Sequence, residues 1–142
     1  MIPFTGEPSG VQKYLQYQIF WQPGEGRARC VLPLKPDVLN RGGALHGGIA
    51  VTLLDAACGI ACESAIADPN CTELSKQGVV TVDFYTQFVS TCHEGEVVAE
   101  AEVTRCGQSI IYVRGDLRTE SGKLLTTGTG TFKRIRQRAV LP

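Results

Sequence analysis

A histidine, two glycines and an aspartate are spaced so that they could act on a polarised carbonyl group. The stretch ALHGGIAVTLLDAACGIACESA, residues 44–65, is apolar on nearly every side, which predicts a buried helix. It opens with His46-Gly47-Gly48 and carries Asp55 in its middle. The first N–H groups of a helix have no internal partner and lie at the positive end of the helix dipole. Gly47 and Gly48 therefore offer donors to an anion or to a carbonyl oxygen.

Asp55 is the candidate general base. Aspartate is a poor residue for the middle of a helix and is rarely buried without a partner. A carboxylate in an apolar wall can have its pKa tuned for proton transfer. Each feature also has an ordinary structural interpretation. Gly-Gly before a helix is often only a turn, a histidine at a helix start is often only a hydrogen-bonded structural residue, and a single aspartate in a helix usually faces solvent.

The elements around this helix predict an antiparallel sheet. Two β-rich segments precede the helix, and the four that follow it are predicted to form a meander, because their short connections make antiparallel neighbours. One apolar helix with this much sheet is best buried by wrapping the sheet around it, which gives an α+β fold. The predicted strands cover residues 17–21, 27–34, 79–91, 97–105, 109–120 and 123–135.

Length and composition indicate a single domain covering residues 1–142, of which 43% are hydrophobic. Fourteen basic and fourteen acidic residues cancel, so we expect neither a nucleic-acid nor a membrane-surface partner. The N-terminus has no pattern of a secretory signal, and polar residues interrupt the helix too often for a membrane span. We expect a loose segment at residues 1–13 with at most a helical turn, a polar connector at 67–78 and a frayed basic tail at 133–142.

Six cysteines stand at positions 30, 58, 62, 71, 92 and 106, without a C-x-x-C pair. Cys58 and Cys62 are one helical turn apart, about 5–6 Å between Cβ atoms, whereas a disulfide needs about 3.5–4.5 Å. We therefore expect free, mostly buried thiols, as in a reducing cytoplasm. Since His46 and His93 are the only histidines and no ligand spacing is present, we expect no metal site.

The motif as a whole resembles that of the hotdog-fold thioesterases, most of all the phenylacetate-degradation (PaaI-like) acyl-CoA thioesterases. Its pattern is N-x-x-G-x-x-H-G-G with an aspartate nine residues after the histidine, and TVDFYTQF (81–88) is similar to the strand that follows in this family. The resemblance spans about residues 27–133. It implies an antiparallel sheet wrapped around one long helix, and hydrolysis of an acyl-CoA or aryl-CoA thioester. The matching residues are Asn40, Gly43, His46, Gly47, Gly48 and Asp55.

The resemblance implies a catalytic role for five residues. The Gly47 N–H polarises the thioester carbonyl, and Asp55 activates or orients the attacking water. Asn40 and His46 shape the carbonyl end and hydrogen-bond to it. Thr81 stands where such enzymes often have serine or threonine, and it helps to hold the water.

The resemblance also implies where the substrate lies. Gly48 is a substrate-binding residue on this view, and coenzyme A runs along the outer surface near Arg105 and the turn formed by Gly107, Gln108 and Ser109. The alternative for Arg105 is a solvated strand end. Coenzyme A enters as part of the substrate, and no separate cofactor is expected. Residues 89–93, VSTCH, depart from the Arg-Pro ending that is frequent in relatives, so the resemblance does not determine the identity of the acyl group. The aromatic residues nearby suggest an uncharged acyl or aryl chain.

The spacing of the motif predicts a site shared between chains. His46 and Asp55 are nine residues apart, about 13 Å along a helix axis. One carbonyl cannot touch both ends of that span. If both groups act on one thioester, a two-fold axis must bring Gly47 of one chain beside Asp55 of another. We expect a homodimer with shared active sites, and the resemblance suggests assembly into a homotetramer.

Two other functions stay open from the sequence. A non-catalytic acyl-CoA-binding protein could keep the same fold, although a binding protein has no use for a carboxylate at Asp55. An enoyl-CoA hydratase or dehydratase could also use the fold, but such enzymes usually pair a histidine with an acid in different motifs.

Overall fold

The computed structural model describes residues 1–74 and 77–136. Within them the chain forms seven strands, two helices and one short 3-10 turn at Pro36–Val38. The predicted α+β architecture, a sheet wrapped around one long helix, is confirmed, and all six predicted strands are present to within two or three residues at their ends. The elements are β1 Ile2–Pro3, α1 Gly10–Leu15, β2 Gln18–Gln22, β3 Arg27–Pro33, α2 Gly47–Ile66, β4 Gly78–Phe88, β5 Glu96–Cys106, β6 Ile110–Thr119 and β7 Leu124–Ile135.

The seven strands form one antiparallel sheet in the order β1-β2-β3-β5-β6-β7-β4. Short turns join β5, β6 and β7 into a meander, as expected for neighbours connected so tightly. The expected four-stranded meander is wrong for its first strand, because β4 joins the sheet beside β7 and not beside β5, which pairs with β3 and β6. β4 therefore lies at one edge of the sheet, and no strand among the described residues pairs with its outer side.

Helix α2 packs across the concave face of the sheet. Its inner side consists largely of small residues, which allow the helix to lie close to the strands. Gly115 of β6 shows how close this approach is, because a Cβ there would lie 3.2 Å from Cys58 Sγ and 3.1 Å from the Glu100 carbonyl oxygen. Length and composition alone would allow α2 to cross a membrane, but here it is the core helix. The buried residues of α2 are Ala50, Leu53, Leu54, Ala57, Cys58, Ala61, Cys62 and Ser64.

The N-terminal segment is ordered against the sheet, so the prediction of a loose segment at residues 1–13 was wrong. Ile2 pairs with Trp21 of β2, and the Phe4 ring packs edge-on against the Trp21 ring at a centroid distance of 5.3 Å. Packing of the partly buried Phe4 ring against the buried Trp21 ring holds the segment, which composition alone did not indicate. The expected helical turn is α1.

The two remaining segments lie partly outside the described residues. Of the expected basic tail at 133–142, Lys133 to Ile135 belong to β7, and residues 137–142 are not described. In the connector at 67–78, residues 75 and 76 are likewise not described, and Gly78 already begins β4.

All six cysteines are free, as expected. Cys30, Cys58 and Cys62 are buried in the core between β3 and α2. Burial raises the pKa of the Cys30 and Cys62 thiols to about 12 and raises that of Cys58 as well. These three thiols therefore stay protonated and unreactive at neutral pH.

Candidate active site

The start of α2 leaves one backbone donor free. His46 is the N-cap residue, and its Nδ1 accepts a hydrogen bond from the Gly48 N–H at 2.9 Å. The His46 carbonyl accepts from the N–H groups of Ile49 and Ala50, which starts the helical pattern. Within residues 1–74 and 77–136, no group accepts a hydrogen bond from the Gly47 N–H. The helix thus presents the Gly47 N–H to an external acceptor, while His46 serves as a cap.

Asn40 shapes the loop that leads into α2. Its side-chain Oδ1 accepts from the N–H groups of Gly42 at 2.9 Å and Ala44 at 3.1 Å. The loop turns at Gly43, whose φ of +77° favours glycine. The amide oxygen of Asn40 is therefore occupied by the loop, and its NH₂ group is the part that can still donate to a ligand.

A hollow of about 230 Å³ lies beside the free donor. It is bounded by the Asn40 loop, the first turn of α2, the end of β4 and the start of β7. The Phe88 ring forms one wall and lies against the helix start, because a Cβ added at Gly47 would be 3.2 Å from Phe88 Cε1. The residues around the hollow are Asn40, Leu45, Gly47, Ala50, Phe88, Ser90, Thr91, Leu125 and Thr126.

Asp55 and Thr81 form the second half of the site. Two turns into α2, the half-buried Asp55 accepts a hydrogen bond at Oδ1 from the Thr81 hydroxyl, at 2.8 Å. Thr81 lies near the start of β4, immediately before an irregularity in the pairing of β4 with β7. A hydrogen bond to a carboxylate fixes its orientation, so Thr81 sets the direction in which Asp55 can accept a proton. Burial raises the pKa of Tyr17, and the nearby Cys30 and Asp55 add to that rise.

The two halves stay apart within one chain. Eight residues separate Gly47 from Asp55, about 12 Å along the helix axis. Asp55 does not line the hollow beside Gly47. The structure therefore brings Asn40 together with Gly47, and Thr81 together with Asp55, but it does not join the pairs in a single chain.

The turn expected to bind coenzyme A lies at the Asp55 end of the sheet. Cys106 of β5 pairs with Ile111, Ile111 with Phe132, and Phe132 with Thr81. The turn at 107–109, which joins β5 to β6, is thus two to three strands from Thr81, about 10–14 Å at the usual strand spacing.

Close backbone contacts define the shape of that turn. Gly107 has no room for a side chain, since a Cβ there would lie 2.6 Å from the Ile110 carbonyl oxygen. The Arg134 guanidinium donates to the Gly107 carbonyl at 3.1 Å, and the Arg134 N–H donates to the Ser109 carbonyl at 2.8 Å. The exposed side chains at and beside the turn include those of Arg105, Cys106, Gln108 and Ser109.

A larger hollow, of about 740 Å³, lies on the outer face of the sheet. Its charged side chains pair with one another, as in Arg27–Glu102 and Arg29–Glu100, both at 2.9 Å. The described residues around it include none of the predicted catalytic residues. Surface pairs of this kind contribute little to stability, and we assign no chemistry to this face.

Sequence reasoning missed part of the hollow beside Gly47. Leu45, Ser90 and Thr126 line it, and none of them belongs to the motif. Alternation along β7 could have predicted that Thr126 is buried, because Thr126, Gly128 and Phe132 lie on the same, buried side of the strand. Only the sheet order, with β4 beside β7, shows that this side meets the start of α2.

The comparison with known families decides the class of protein. The sequence of residues 42–126, more than half of the chain, matches the family described as the thioesterase superfamily. The chain is a member of that superfamily. The match begins in the loop before α2 and ends at Thr126 of β7, so it includes the Gly47 donor, Asp55, Thr81 and the turn at 107–109.

Relatives of this thioesterase superfamily member support the resemblance seen in the sequence. Acyl-coenzyme A thioesterase 13 of Homo sapiens is 31% identical over 108 residues, which are 75% of this chain and 71% of that protein. A Bacillus halodurans protein crystallised with CoA is 28% identical and has a TM-score of 0.78, covering 92% of this chain and 82% of that one. The PaaI protein of E. coli, from the phenylacetic acid degradation operon, has the same fold, with 22% identity and a TM-score of 0.78 over 91% of this chain and 86% of that one.

Proposed function

We propose that this superfamily member hydrolyses acyl-CoA thioesters to a free acid and coenzyme A. The observation that carries the proposal is the unoccupied Gly47 N–H at the positive end of α2, facing a hollow of the size of a small ligand. Such a donor is suited to a carbonyl oxygen that gains negative charge during reaction. The relationship to an acyl-coenzyme A thioesterase supports the same chemistry.

The proposed reaction proceeds through attack of water on the thioester carbonyl. Asp55 accepts a proton from the water as its oxygen bonds to the carbonyl carbon, and Thr81 keeps the carboxylate oriented. The carbonyl oxygen becomes negatively charged and is stabilised by the Gly47 N–H. The carbon–sulfur bond then breaks, and the coenzyme A sulfur takes up the proton. One water is consumed, and no metal or redox cofactor takes part.

The same proposal includes a homodimer in which each site uses two chains. No strand of the described residues pairs with the outer edge of β4, and four of its large apolar side chains are 45–66% exposed, which favours pairing with a second copy. Within one chain Thr81, beside Asp55, and Phe88, beside Gly47, lie towards opposite ends of β4. Antiparallel pairing of two β4 strands about a two-fold axis near their centre would bring Asp55 of one copy towards Gly47 of the other. The exposed residues are Val80, Val82, Tyr85 and Phe88.

Coenzyme A would then lie over the chain that supplies Asp55, near Arg105 and the turn at 107–109. The Bacillus halodurans relative crystallised with CoA supports the choice of ligand. We further propose assembly of the dimers into a homotetramer and a location in the cytoplasm, where free thiols such as the six in this chain persist.

A thiol-release assay tests the chemistry. Wild-type protein should release coenzyme A from at least one member of a panel of straight-chain and aryl acyl-CoAs. Asp55→Asn should fold normally and lose about 10²–10⁴ in kcat, the usual contribution of a general base. Asp68→Asn, in the loop after α2, is the matched control, since an asparagine oxygen can still accept the Asn70 N–H. If no thiol is released from any acyl-CoA, the protein is an acyl-CoA-binding protein and not a thioesterase. If it hydrates an enoyl-CoA, it is a hydratase.

Mixing two inactive variants tests the shared site. Asp55→Asn and Gly47→Pro are unfolded, mixed equally and refolded together. Random pairing makes half of the dimers mixed, and in each mixed dimer one site collects both lesions while the other has none. Activity should therefore return to about a quarter of wild type. If mass measurement shows mixed dimers and activity stays absent, each site is built within one chain and the assignment of Asp55 fails.

A further inference from the structure

A short segment after β4 holds the loop that leads into α2. The Leu45 N–H donates to the Cys92 carbonyl at 2.9 Å, and Nδ1 of His93 lies 3.0 Å from the Gly43 carbonyl oxygen. A carbonyl oxygen only accepts hydrogen bonds, so Nδ1 of His93 carries a proton and donates it. Two hydrogen bonds therefore tie the loop to a segment that lies about fifty residues later in the chain.

This segment is itself fixed to the sheet. The Ser90 hydroxyl donates to the Leu124 carbonyl, and the Lys123 ammonium donates to the Thr91 carbonyl at 2.9 Å. Cys92 is partly buried and packs against the core. The loop is thus braced against the end of β4 and the start of β7, which border the same hollow at the start of α2.

One peptide unit of the loop links His93 to Asn40. The carbonyl that accepts from His93 belongs to Gly43, and the N–H of the same peptide unit, that of Ala44, donates to Asn40 Oδ1 at 3.1 Å. A trans peptide unit is planar, so its C=O and N–H turn together and point in opposite directions. A hydrogen bond that fixes the Gly43 carbonyl therefore also fixes a donor to Asn40.

The direction of the Asn40 amide decides what it offers to a ligand. Asn40 borders the hollow, and its Oδ1 is held by the N–H groups of Gly42 and Ala44, which leaves the NH₂ group as the ligand-facing donor. An amide whose oxygen loses a donor of this kind can rotate by half a turn and exchange the places of O and NH₂. An oxygen would then stand where a thioester carbonyl needs a donor.

We propose that His93 is a positioning residue for Asn40 in the thioesterase reaction. This inference rests on the proposed acyl-CoA hydrolysis, with the Asn40 NH₂ group as a second donor to the thioester carbonyl beside the Gly47 N–H. His93 does not line the hollow. It acts through the Gly43–Ala44 peptide unit, which it holds in the orientation that keeps the Asn40 amide correctly directed.

Asparagine and leucine at position 93 give a matched pair of variants. The amide nitrogen of asparagine can take the place of His93 Nδ1, whereas leucine has nearly the same shape as asparagine and no donor. His93→Leu should lower kcat about 10-fold with a smaller change in KM, because a misplaced donor affects the transition state most. His93→Asn should keep kcat near that of the wild type. Glu94→Ala, which removes the exposed side chain next in the chain, is the control and should also match the wild type.

An Asn40→Asp background separates positioning of the amide from a general effect on the loop. Aspartate keeps an oxygen that accepts from Gly42 and Ala44 but has no NH₂ group, so no donor remains for His93 to orient. In this background His93→Leu should cause little further loss of kcat. An equal loss in both backgrounds would show that His93 acts independently of Asn40 and would overturn the proposal.

The outcomes separate this inference from the proposed function. If the wild type releases thiol but His93→Leu and His93→Asn have equal kcat, the role of His93 is refuted and the hydrolysis stands. If the wild type releases no thiol from any acyl-CoA, the proposed function fails. Amide hydrogen exchange then decides whether His93 holds the peptide unit, since the Ala44 N–H should exchange faster in His93→Leu than in His93→Asn, and equal rates would refute the proposal.

Discussion

Replacing Gly47 with proline removes the proposed carbonyl donor while keeping the helix. Proline has no N–H, and it is tolerated at the first position of a helix, where that N–H has no helical acceptor. Gly47 is this first residue, and the preceding His46 has φ −63° and ψ 130°, the extended conformation that a residue before proline prefers. We therefore expect Gly47→Pro to fold with α2 intact.

The size of the effect follows from what the donor does. Loss of one preorganised donor to a developing oxyanion typically costs about 10²–10³ in kcat. Gly47→Ala is the matched control, since it adds a Cβ at the same place, 3.2 Å from Phe88 Cε1, but keeps the N–H. The contact with Phe88 is therefore common to both variants, and the ratio of their kcat values isolates the donor. KM should differ much less between them, because the donor binds the transition state more strongly than the ground state.

The assay is thiol release from the best acyl-CoA, with circular dichroism and thermal unfolding to compare the folds of both variants. If Gly47→Pro and Gly47→Ala fold alike and have equal kcat, the Gly47 N–H does not polarise the carbonyl. In that case the start of α2 would have only a structural role, and the donor would have to be sought elsewhere in the site.

Three further predictions follow from the contacts. Thr81→Val should lower kcat by about 10-fold with a smaller change in KM, because the hydroxyl orients Asp55. Thr81→Ser keeps the hydroxyl and should have a kcat near that of the wild type. A change confined to KM would show that Thr81 contributes to substrate binding and not to catalysis. An alkylating thiol reagent at pH 8 should label Cys106 first and leave Cys30, Cys58 and Cys62 unlabelled in the folded protein, and mass mapping that found those three labelled would contradict the core described above. Val82→Lys should weaken dimerisation, measured by sedimentation, because it places a charge on the exposed edge of β4. A dimer of unchanged stability would show that the edge of β4 is not the interface.

The fold could be predicted from the sequence because its signals are local. Alternation in residues 97–105 and β-branched and aromatic residues in 79–91 predict the strands, and the short turns after residue 105 predict the antiparallel pairing of β5, β6 and β7. The N-terminal segment could not be predicted in this way. Ile2 and Phe4 are too few to form a periodic pattern, and they are ordered by a long-range contact with Trp21 that only the folded sheet provides.

The residues of the site likewise fall into two groups, those that a local sequence pattern predicts and those that only the folded sheet brings into place. The motif from Asn40 to Asp55 lies in one continuous stretch, so its residue types and spacing are visible in the sequence. Thr126 comes from the far end of the chain and reaches the hollow because β4, although it follows α2, joins the sheet beside β7. Sequence patterns do not give the order of strands in a sheet, so a residue placed by that order could not be found from its spacing to the motif.

The position of Asp55 is explained by the open edge of the sheet. A carboxylate closed off in the core with a single neutral partner, here the Thr81 hydroxyl, would be strongly unfavourable. Because no strand of residues 1–74 and 77–136 lies beyond β4, Asp55 stays half-buried and within reach of water, which the proposed hydrolysis consumes. The same edge exposes apolar side chains that favour a second copy. In the proposed dimer, a second copy at this edge would have to cover those side chains and still leave room beside Asp55 for one water molecule and a thioester, so the proposed reaction would take place at the boundary between the two chains.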